Sequence, residues 1–589
     1  MKAAARTFSC VVVALVLFSA ISCARQDATP AQPNPSSWWK NGVIYEIYPR
    51  SFQDSNSDGI GDLNGITSRL DYLRALGIDA IWLTPIYPSP QVDFGYDISD
   101  YNNIDPQYGT LADFDRLVAE AKKRNIGVIM DLVLNHTSDK HPWFRESASS
   151  RTNPKADWYM WHDPKMVNGR REPPNNWLSV FGHSAWQWDP ARQQYYYHRF
   201  YIQQPDLNWN NPDVRKAMYD VERFWIQHGV VGFRLDAITS LFEDPTFSDE
   251  NYVLGPDGKP KINAYGDKMV DTLKTDNLPE VHDVLRELRQ VADQTQGHKV
   301  VLIGETYLRS VDDLRKMYGP HDDELDLPMD MQVGFPPYGV TLANVDWFRQ
   351  RINEAETGIG GEEPLFVFDN HDNPRWDRWI TSDHKDDVGR VIATMLFASR
   401  DTAMMYYGDE IGMVTTPPTR KEDVKDPIGI TGWPKQKGRD GERTPMQWND
   451  GPDAGFSPSG VKTWLPIPPS YTTINVNAEQ SEQDSMLHWY QRIIELKKQD
   501  SALHEGAEIM LNTSDGHVLS WLRKSDNGEA VVVACNLTDQ PQSVSFDLSG
   551  QGIHGTNVKT MMKTPGAADP ASLASIQLGA YGVYIGQVQ

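Results

Sequence analysis

The chain has 589 residues, of which 39% are hydrophobic and 11% aromatic, and its formal net charge is -24. This length and apolar content predict a folded protein of two or three domains and exclude a disordered chain. The negative charge disfavours nucleic acid as a partner, because phosphate backbones are bound through clustered Lys and Arg. The 19 Trp and 24 Tyr instead suit an uncharged ligand whose apolar faces pack on flat rings.

The N-terminal residues have the pattern of an export signal followed by a linker. Two basic residues precede an apolar run at 11–21, which is about half the length that a membrane-spanning helix needs. We therefore expect a signal peptide over 1–23, no membrane span, and a periplasmic or extracellular protein. The sequence Ala-Ile-Ser-Cys resembles a bacterial lipoprotein cleavage box, so Cys23 is a candidate lipid anchor on a Pro-, Ala- and Gln-rich linker over 24–36.

From residue 37 onward, short apolar runs alternate with amphipathic stretches, which predicts a parallel sheet wrapped by helices. The predicted strands are 43–48, 80–84, 127–132, 231–236, 300–305, 331–335, 365–368 and 404–407. The predicted helices between them are 66–76, 111–124, 214–227, 279–295 and 388–396. Eight parallel strands indicate an α/β fold, the closed (β/α)8 TIM barrel, formed by 37–137 and 212–503.

Two segments depart from this alternation. Residues 138–211 are rich in Trp, Asn, Pro and Tyr, and we predict that they form an inserted domain B over the barrel mouth. After a helix at 486–498, alternating runs over 504–589 predict a C-terminal antiparallel β domain. Its predicted strands are 518–523, 530–536, 543–548 and 581–586.

Two of the predicted barrel strands end on an acid. The strand GFRLDA carries Asp236, and LIGET carries Glu305. Barrel enzymes place their reacting groups at the C-terminal ends of strands. Two such acids indicate glycoside hydrolysis, in which one carboxyl attacks the sugar and the other protonates the leaving oxygen. Arg234 lies two residues before Asp236 on the same strand face, where it can hold that carboxylate ionised.

Four motifs in order resemble those of the α-amylase superfamily, glycoside hydrolase family 13, and the resemblance covers roughly residues 37 to 589. The motifs are DLVLNH at 131–136, GFRLDA at 232–237, IGET at 303–306 and FDNHD at 368–372. The resemblance implies that Asp236 is the nucleophile, Glu305 the general acid/base and Asp372 the stabiliser of the transition state.

The same resemblance implies contacts to the terminal sugar. His136 and His371 are expected to donate hydrogen bonds to its hydroxyls, and Tyr96 to stack on its ring. Asp97 is expected to contact the terminal glucose and to pair with Arg375, so that the pocket is closed and only a chain end enters.

Further motifs are similar to those of the α-glucosidase and oligo-1,6-glucosidase branch of this family. They are QPDLN at 204–208, FGHSAW at 181–186 and RTPMQW at 443–448. Within them, Phe181 and Arg443 are expected to form walls for the second sugar. Ala237 follows the nucleophile at a position where Val usually accompanies α-1,6 preference in this branch, so Ala237 favours α-1,4 linkages.

The acidic loop DSNSDGIGD at 54–62 is a candidate metal site. Its oxygen donors are the side chains of Asp54, Asn56, Asp58 and Asp62 and the main-chain carbonyl of Ile60. Hard oxygen donors at alternating positions suit Ca²⁺ or Mg²⁺, although Gly65 stands where an EF-hand has Glu. The resemblance favours a structural Ca²⁺ and implies no organic cofactor.

These features predict a retaining, exo-acting α-glucosidase that releases α-glucose from maltose and short α-1,4-linked oligosaccharides through a covalent glucosyl-Asp intermediate. The alternatives are an oligo-1,6-glucosidase, or a transglycosylating or isomerising relative that acts on sucrose or maltose. The RLDRD stretch typical of sucrose isomerases is absent after HDNPR, where WDRW occupies 376–379. A non-catalytic sugar-binding homologue is a further alternative. The sequence leaves open the oligomeric state and the role of the long loop at 251–277.

Overall fold

A computed structural model describes residues 37–295, 299–381, 383–458 and 460–589. The predicted signal peptide, the lipidation candidate Cys23 and the linker lie outside the described residues. Within the described ranges, no helix has both the length and the apolar character needed to cross a bilayer.

The barrel predicted from the sequence is confirmed. Seven parallel strands form one sheet in the order β6-β5-β4-β3-β2-β1-β7. They are β1 (Val43–Ile47), β2 (Ala80–Leu83), β3 (Gly127–Val133), β4 (Gly232–Asp236), β5 (Val301–Gly304), β6 (Leu327–Pro328) and β7 (Ala403–Tyr406). Between β6 and β7, Phe366 bridges Asp330 in parallel, and the Thr402 amide donates to the Pro364 carbonyl at 3.1 Å. These contacts close the ring.

The strands are apolar on both faces because each face is covered. In β2, Trp82 belongs to the cluster that fills the barrel, whereas its neighbour Leu83 belongs to the larger cluster between sheet and helices. The main barrel helices are Leu63–Ser68, Leu70–Leu76, Leu111–Lys123, Pro212–Gln227, Val281–Asp293, Val311–Lys316, Val345–Gly358, Lys385–Ala398 and Met486–Gln499. Shorter helices follow at Pro427–Gly432, Val476–Ser481 and Ser501–Glu505.

Three sequence predictions within the barrel differ from the structure. The segment predicted as a strand at 365–368 contains only the isolated bridge at Phe366. The sixth strand lies at Leu327–Pro328 and not at 331–335, where the Phe335 amide donates back to the Met331 carbonyl and forms a turn. The apolar residues there are buried by packing and not by strand pairing. The helix predicted at 66–76 is two helices. Asp62 caps a helix that begins earlier, at Leu63, and the helix is interrupted between Ser68 and Leu70.

Residues 138–211 form small antiparallel units over one end of the barrel. A three-stranded sheet, a two-stranded hairpin and one helix are found there. They are Trp161–His162, Gln194–Tyr197 and Trp186–Asp189; Lys165–Val167 and Arg170–Glu172; and Pro142–Ser149. Trp177, Trp186 and Tyr197 are buried together in their core.

The predicted C-terminal antiparallel domain is present. Its strands are Ala507–Leu511, Val518–Lys524, Ala530–Asn536, Val583–Val588 and Val558–Lys563 in one sheet, and Gln542–Val544 with Ile576–Leu578 in another. The strands at 507–511, 558–563 and 576–578 were not predicted. Trp521 joins this domain to the barrel, since its indole N–H donates to the Ala398 carbonyl at 3.0 Å.

Candidate active site

Three acids meet at the C-terminal end of the barrel. Asp236 is the last residue of β4, Glu305 follows β5 directly, and Asp372 follows the segment that pairs with β6. Asp236 and Glu305 are only 7% and 8% exposed, and all three acids line the same cavity. The barrel therefore brings together the three acids that the motifs single out.

One guanidinium contacts both acids of the predicted pair. Arg234 Nη1 donates to Asp236 Oδ1 at 2.6 Å, and Arg234 Nη2 lies 2.7 Å from Glu305 Oε1. Arg234 Nη1 also donates to both oxygens of Asp131 at 3.1 Å. Since one planar group spans Asp236 and Glu305, the two carboxyls must be close to each other.

The environment keeps protons on this acid pair near neutral pH. Burial raises the pKa of Asp236 to about 7, and Arg234 opposes the rise. Burial also raises the pKa of Glu305 to about 7, with Arg234 opposing and the charge of Asp236 adding to the rise. Near pH 7 the pair therefore holds about one proton, shared as a coupled system.

Asp372 has the opposite electrostatics. Burial alone would raise its pKa, but His371, Arg439 and Arg443 hold it well below its usual range. Arg439 Nη1 and Arg443 Nη2 donate to Asp372 Oδ1 at 2.7 and 2.8 Å, and His371 Nε2 lies 3.2 Å from Oδ2. Asp372 is thus a fixed negative charge beside two acids that share a proton.

The cavity has a volume of about 420 Å³ and is lined by both the barrel and the inserted segment. His136, Tyr96 and Phe181, the residues expected to contact sugar, all line it. Burial lowers the pKa of His136 to about 3, so its imidazole is neutral. The Tyr96 ring stacks on His371 with a centroid separation of 5.4 Å.

His371 itself lies behind the cavity wall. Its ring is fully buried and is not part of the lining. Its Nε2 is 2.7 Å from the Tyr96 hydroxyl, and its Nδ1 is 2.6 Å from Glu46 Oε1. In this structure His371 Nε2 faces Tyr96 and Asp372, and the expected contact of His371 with a sugar hydroxyl stays a prediction.

The predicted pair of Asp97 and Arg375 is wrong. Asp97 accepts hydrogen bonds from the Ser89 hydroxyl and from the Val92 and Asp93 amides, so it shapes its own loop. Arg375 is fully buried and donates to Asp409 and to the carbonyls of Tyr407 and Glu442. Neither residue lines the cavity.

A different pair closes the cavity. Arg439 Nη2 donates to Asp93 Oδ1 at 2.7 Å, and both residues line the cavity. Arg439 is also held by Asp426, whose Oδ2 accepts from Arg439 Nε at 2.9 Å. The guanidinium lies 5.4 Å from the centroid of the Phe181 ring.

Arg443 does not form the expected wall for a second sugar. It is 1% exposed, and its Nε donates to the His371 carbonyl at 2.7 Å. It supports Asp372 from behind, and the residue at the cavity wall is Arg439, four positions earlier.

Sequence reasoning missed five residues of this centre, which are Asp93, Arg439, Asp426, Asp131 and Glu46. The signals for three of them were present: Asp131 opens the motif DLVLNH, Asp93 lies three positions before Tyr96, and Arg439 lies four positions before Arg443 of RTPMQW. No local pattern marks Glu46, an acid within an otherwise apolar strand.

The acidic loop at 54–62 holds itself together through its own backbone. Asp54 accepts from the amides of Asn56, Ser57 and Gly59 at 3.0, 2.7 and 2.9 Å. Asp62 accepts from the Ser55 amide and caps the following helix. In the described part of the chain, no three His, Cys, Asp or Glu side chains cluster as metal ligands. The loop's donors are all oxygen atoms, however, and include an amide and a carbonyl, which match the chemistry of Ca²⁺.

The chain is similar to known proteins over most of its length. The pattern of the alpha amylase catalytic domain matches residues 46–506, and that of the maltogenic amylase C-terminal domain matches 509–585. A probable alpha-glucosidase of Rhizobium meliloti is 42% identical over 85% of this chain and 90% of its own length. An oligo-1,6-glucosidase of Heyndrickxia coagulans is 38% identical over 87% and 94%. The crystal structure of an alpha-glucosyl transfer enzyme, XgtA, superposes with a TM-score of 0.82 and 37% identity, covering 94% of this chain and 99% of that one.

Proposed function

The chain belongs to the α-amylase family of glycoside hydrolases, and within that family we propose that it is an exo-acting, retaining α-glucosidase. It removes α-glucose from the non-reducing end of maltose and short α-1,4-linked oligosaccharides. The observation that carries this proposal is the cavity closed by Arg439 and Asp93 over three acids. A closed pocket accepts a chain end and excludes a long chain that passes through.

The contacts of Arg234 support retention of configuration. Retaining enzymes hold their two carboxyls about 5 Å apart, whereas inverting enzymes leave room for a water between them. A single guanidinium that contacts both Asp236 and Glu305 is compatible with the shorter separation.

The reaction follows from the protonation of these groups. Asp236 attacks the anomeric carbon while Glu305 gives its proton to the leaving oxygen, and a glucosyl ester of Asp236 forms. Glu305, now ionised, takes a proton from water as that water attacks the ester. The glucose leaves as the α-anomer, and both carboxyls return to their first state. The fixed charge of Asp372 stabilises the positive charge on the sugar in each transition state.

Parallel time courses of glucose release from maltose and isomaltose test the proposal, with the anomer of the first product resolved. The expected result is α-glucose, mainly from maltose, and none from Asp236→Asn. A β-anomer would overturn retention, and a preference for isomaltose would identify an oligo-1,6-glucosidase. Binding without turnover in the unaltered protein would identify a sugar-binding homologue.

The relative XgtA, an alpha-glucosyl transfer enzyme, favours transfer as the second candidate. The same glucosyl ester serves both reactions, and the outcome depends on whether water or a sugar hydroxyl reaches it. Trisaccharide formation at high maltose concentration would measure the share of transfer.

We also propose that the loop at 54–62 binds Ca²⁺ as a structural ion, with Asp54, Asn56, Asp58, Asp62 and the Ile60 carbonyl as ligands. Its all-oxygen donor set supports the assignment. Export, with a lipid on Cys23, is proposed from the N-terminal pattern alone. Fractionation of cells that express the unaltered chain and Cys23→Ser would test it, since loss of the lipid would release the protein from the membrane fraction.

A further inference from the structure

Glu46 is a buried acid that lies outside the cavity and touches one residue of the centre. It is the fourth residue of β1, two positions after Ile44, whose side chain packs inside the barrel. Alternation along the strand therefore points Glu46 into the barrel as well. The side chain is 1% exposed. An acid in such a place costs stability unless a polar partner meets it.

That partner is His371, which Glu46 contacts twice. Glu46 Oε1 lies 2.6 Å from His371 Nδ1 and accepts from the His371 amide at 3.3 Å. The ring and the backbone of His371 are thus both tied to one carboxylate. Two bonds to the same acceptor fix the position and the rotation of the imidazole.

The opposite edge of the imidazole faces the cavity wall. Its Nε2 lies 2.7 Å from the Tyr96 hydroxyl and 3.2 Å from Asp372 Oδ2. The ring lies between Tyr96 and Tyr48, with centroid separations of 5.4 and 6.0 Å, and it cannot turn without displacing them. The orientation of His371 therefore contributes to the positions of Asp372 and Tyr96.

We propose that Glu46 is a positioning residue, which holds His371 by Nδ1 so that Nε2 supports Asp372 and Tyr96 at the cavity wall. The consequence for activity rests on the proposed glucosidase function, whereas the consequence for His371 does not. This is the arrangement in which a carboxylate orients a histidine whose second nitrogen faces the reacting groups.

The charges around His371 agree with this role. The groups that face it are Glu46, Asp372, the Tyr96 hydroxyl, the stacked ring of Tyr48, the edge of Trp82, and Arg443, which binds its carbonyl. The charge of the buried Asp131 also interacts with the imidazole. Burial alone would lower the pKa of His371, but Asp372 and Glu46 raise it to about 9. The ring is therefore an imidazolium at neutral pH. Burial raises the pKa of Glu46 itself, and the facing imidazolium works against that rise.

Two variants separate the charge of Glu46 from its hydrogen bond. Glu46→Gln keeps an acceptor for Nδ1 but removes the charge, and Glu46→Ala removes both. The matched control is Glu410→Gln, because Glu410 is also fully buried but accepts from the Tyr45 and Tyr72 hydroxyls and does not contact His371.

The first readout is the ¹⁵N titration of His371 in histidine-labelled protein, with the resonance assigned by its loss in His371→Gln. In Glu46→Gln the pKa should fall by about one unit or more, because one of the two facing charges is gone. Glu410→Gln should leave it in place. An unchanged pKa in Glu46→Gln would overturn the proposal, even if the protein hydrolyses no glucoside at all.

The second readout is turnover at pH 6. Glu46→Ala should lower kcat about tenfold or more with little change in KM, since Asp372 acts on the transition state. Glu46→Gln should recover most of that loss. Equal losses of kcat in Glu46→Ala, Glu46→Gln and Glu410→Gln would mean that Glu46 contributes only to folding, as Glu410 does. That result would also overturn the proposal.

Discussion

Arg439 Nη2 lies 2.7 Å from Asp93 Oδ1, although 346 positions separate the two residues in the chain. The same guanidinium contacts Asp372 and Asp426. One cation therefore joins the closed end of the cavity to the acid that faces the reacting sugar.

Loss of this cation should open the cavity and leave Asp93, Asp372 and Asp426 without the guanidinium that they share. For Arg439→Ala we expect kcat/KM for maltose to fall by about 10²–10³-fold, because both the closing contact and the position of Asp372 are lost. Arg439→Lys should not recover it, since one ammonium cannot replace a planar fork. Steady-state kinetics on maltose would check this, with Arg420→Ala, from an exposed ion pair, as the control. Full activity of the Lys variant would contradict the assignment.

The pKa of Glu305 predicts the alkaline side of the pH profile. Burial raises this pKa to about 7, and the acid must be protonated to assist the leaving oxygen. Activity should therefore fall as the pH rises through that value. On the acid side it should fall as Asp236 takes up a proton, because burial raises the pKa of that nucleophile to about 7 as well. Glu305→Gln should remove the alkaline limb and slow maltose hydrolysis by about 10²–10⁴-fold, with a smaller loss on p-nitrophenyl α-glucoside, whose leaving group needs less assistance.

Glu508→Gln is the matched control for this experiment. Burial raises the pKa of Glu508 to about 7 as well, but Glu508 lies in the C-terminal domain and accepts from the Arg400 amide. The limb should not move in this variant. If the alkaline side of the pH profile shifted equally in Glu305→Gln and Glu508→Gln, it would report unfolding and not the titration of Glu305.

Ala237 should influence linkage preference. It lines the cavity beside Asp236 with a backbone φ of 46°, a conformation that β-branched residues adopt at a cost of about 1–3 kcal/mol. Ala237→Val should lower the melting temperature and raise the ratio of isomaltose to maltose turnover, because its bulk narrows the wall next to the acids. Ala237→Gly should relieve the backbone without this change of ratio. A lower isomaltose ratio in the Val variant would contradict the role.

The buried ion pair Asp401–Lys497 should be sensitive to loss of one partner. Both side chains are fully buried, and Lys497 Nζ lies 3.0 Å from Asp401 Oδ1. The pair connects the helix Met486–Gln499, which carries Lys497, to the segment just before β7. Lys497→Met should destabilise the fold by about 3–5 kcal/mol, because Asp401 remains buried without a cation. Lys498→Met is the control, since the Lys498–Asp79 pair is partly exposed and should contribute about 0–1 kcal/mol. Urea unfolding followed by fluorescence would compare them, and equal effects would contradict the prediction.

Calcium should stabilise the protein without entering the chemistry. Addition of EDTA should lower the melting temperature, and Ca²⁺ should restore it, because an ion that binds only the folded state adds about 2.7 kcal/mol at 100 times its Kd. In Asp58→Ala the response to Ca²⁺ should be lost, since Asp58 is an exposed residue whose carboxylate accepts from the Ile60 amide and is a proposed ligand. Calorimetry with and without chelator provides the measurement. A melting temperature that does not respond in the unaltered protein would remove calcium from the proposal.

The barrel could be predicted because its strands are apolar runs that end on polar residues. The sixth strand could not, since a two-residue pairing at Leu327–Pro328 has no periodicity to detect. The acids were found from motifs, but the pairing of Arg439 with Asp93 depends on how three distant loops meet. Asp97 and Arg375 also have opposite charges and could have paired as far as the sequence shows. In the structure both are buried against other partners, so they do not pair with each other. Glu46 was missed because its function lies in a contact across the barrel.

Arg234 serves Asp131, Asp236 and Glu305 with one side chain. No other residue type offers three nitrogens that share a permanent charge on a rigid plane, and a lysine would leave at least one of the three acids without its partner. No single substitution at position 234 would therefore preserve all three contacts. The loops that carry Asp93, Phe181 and Arg439 can vary around it. The substrate range of such a protein can change with its loops, whereas the reaction itself depends on one arginine side chain.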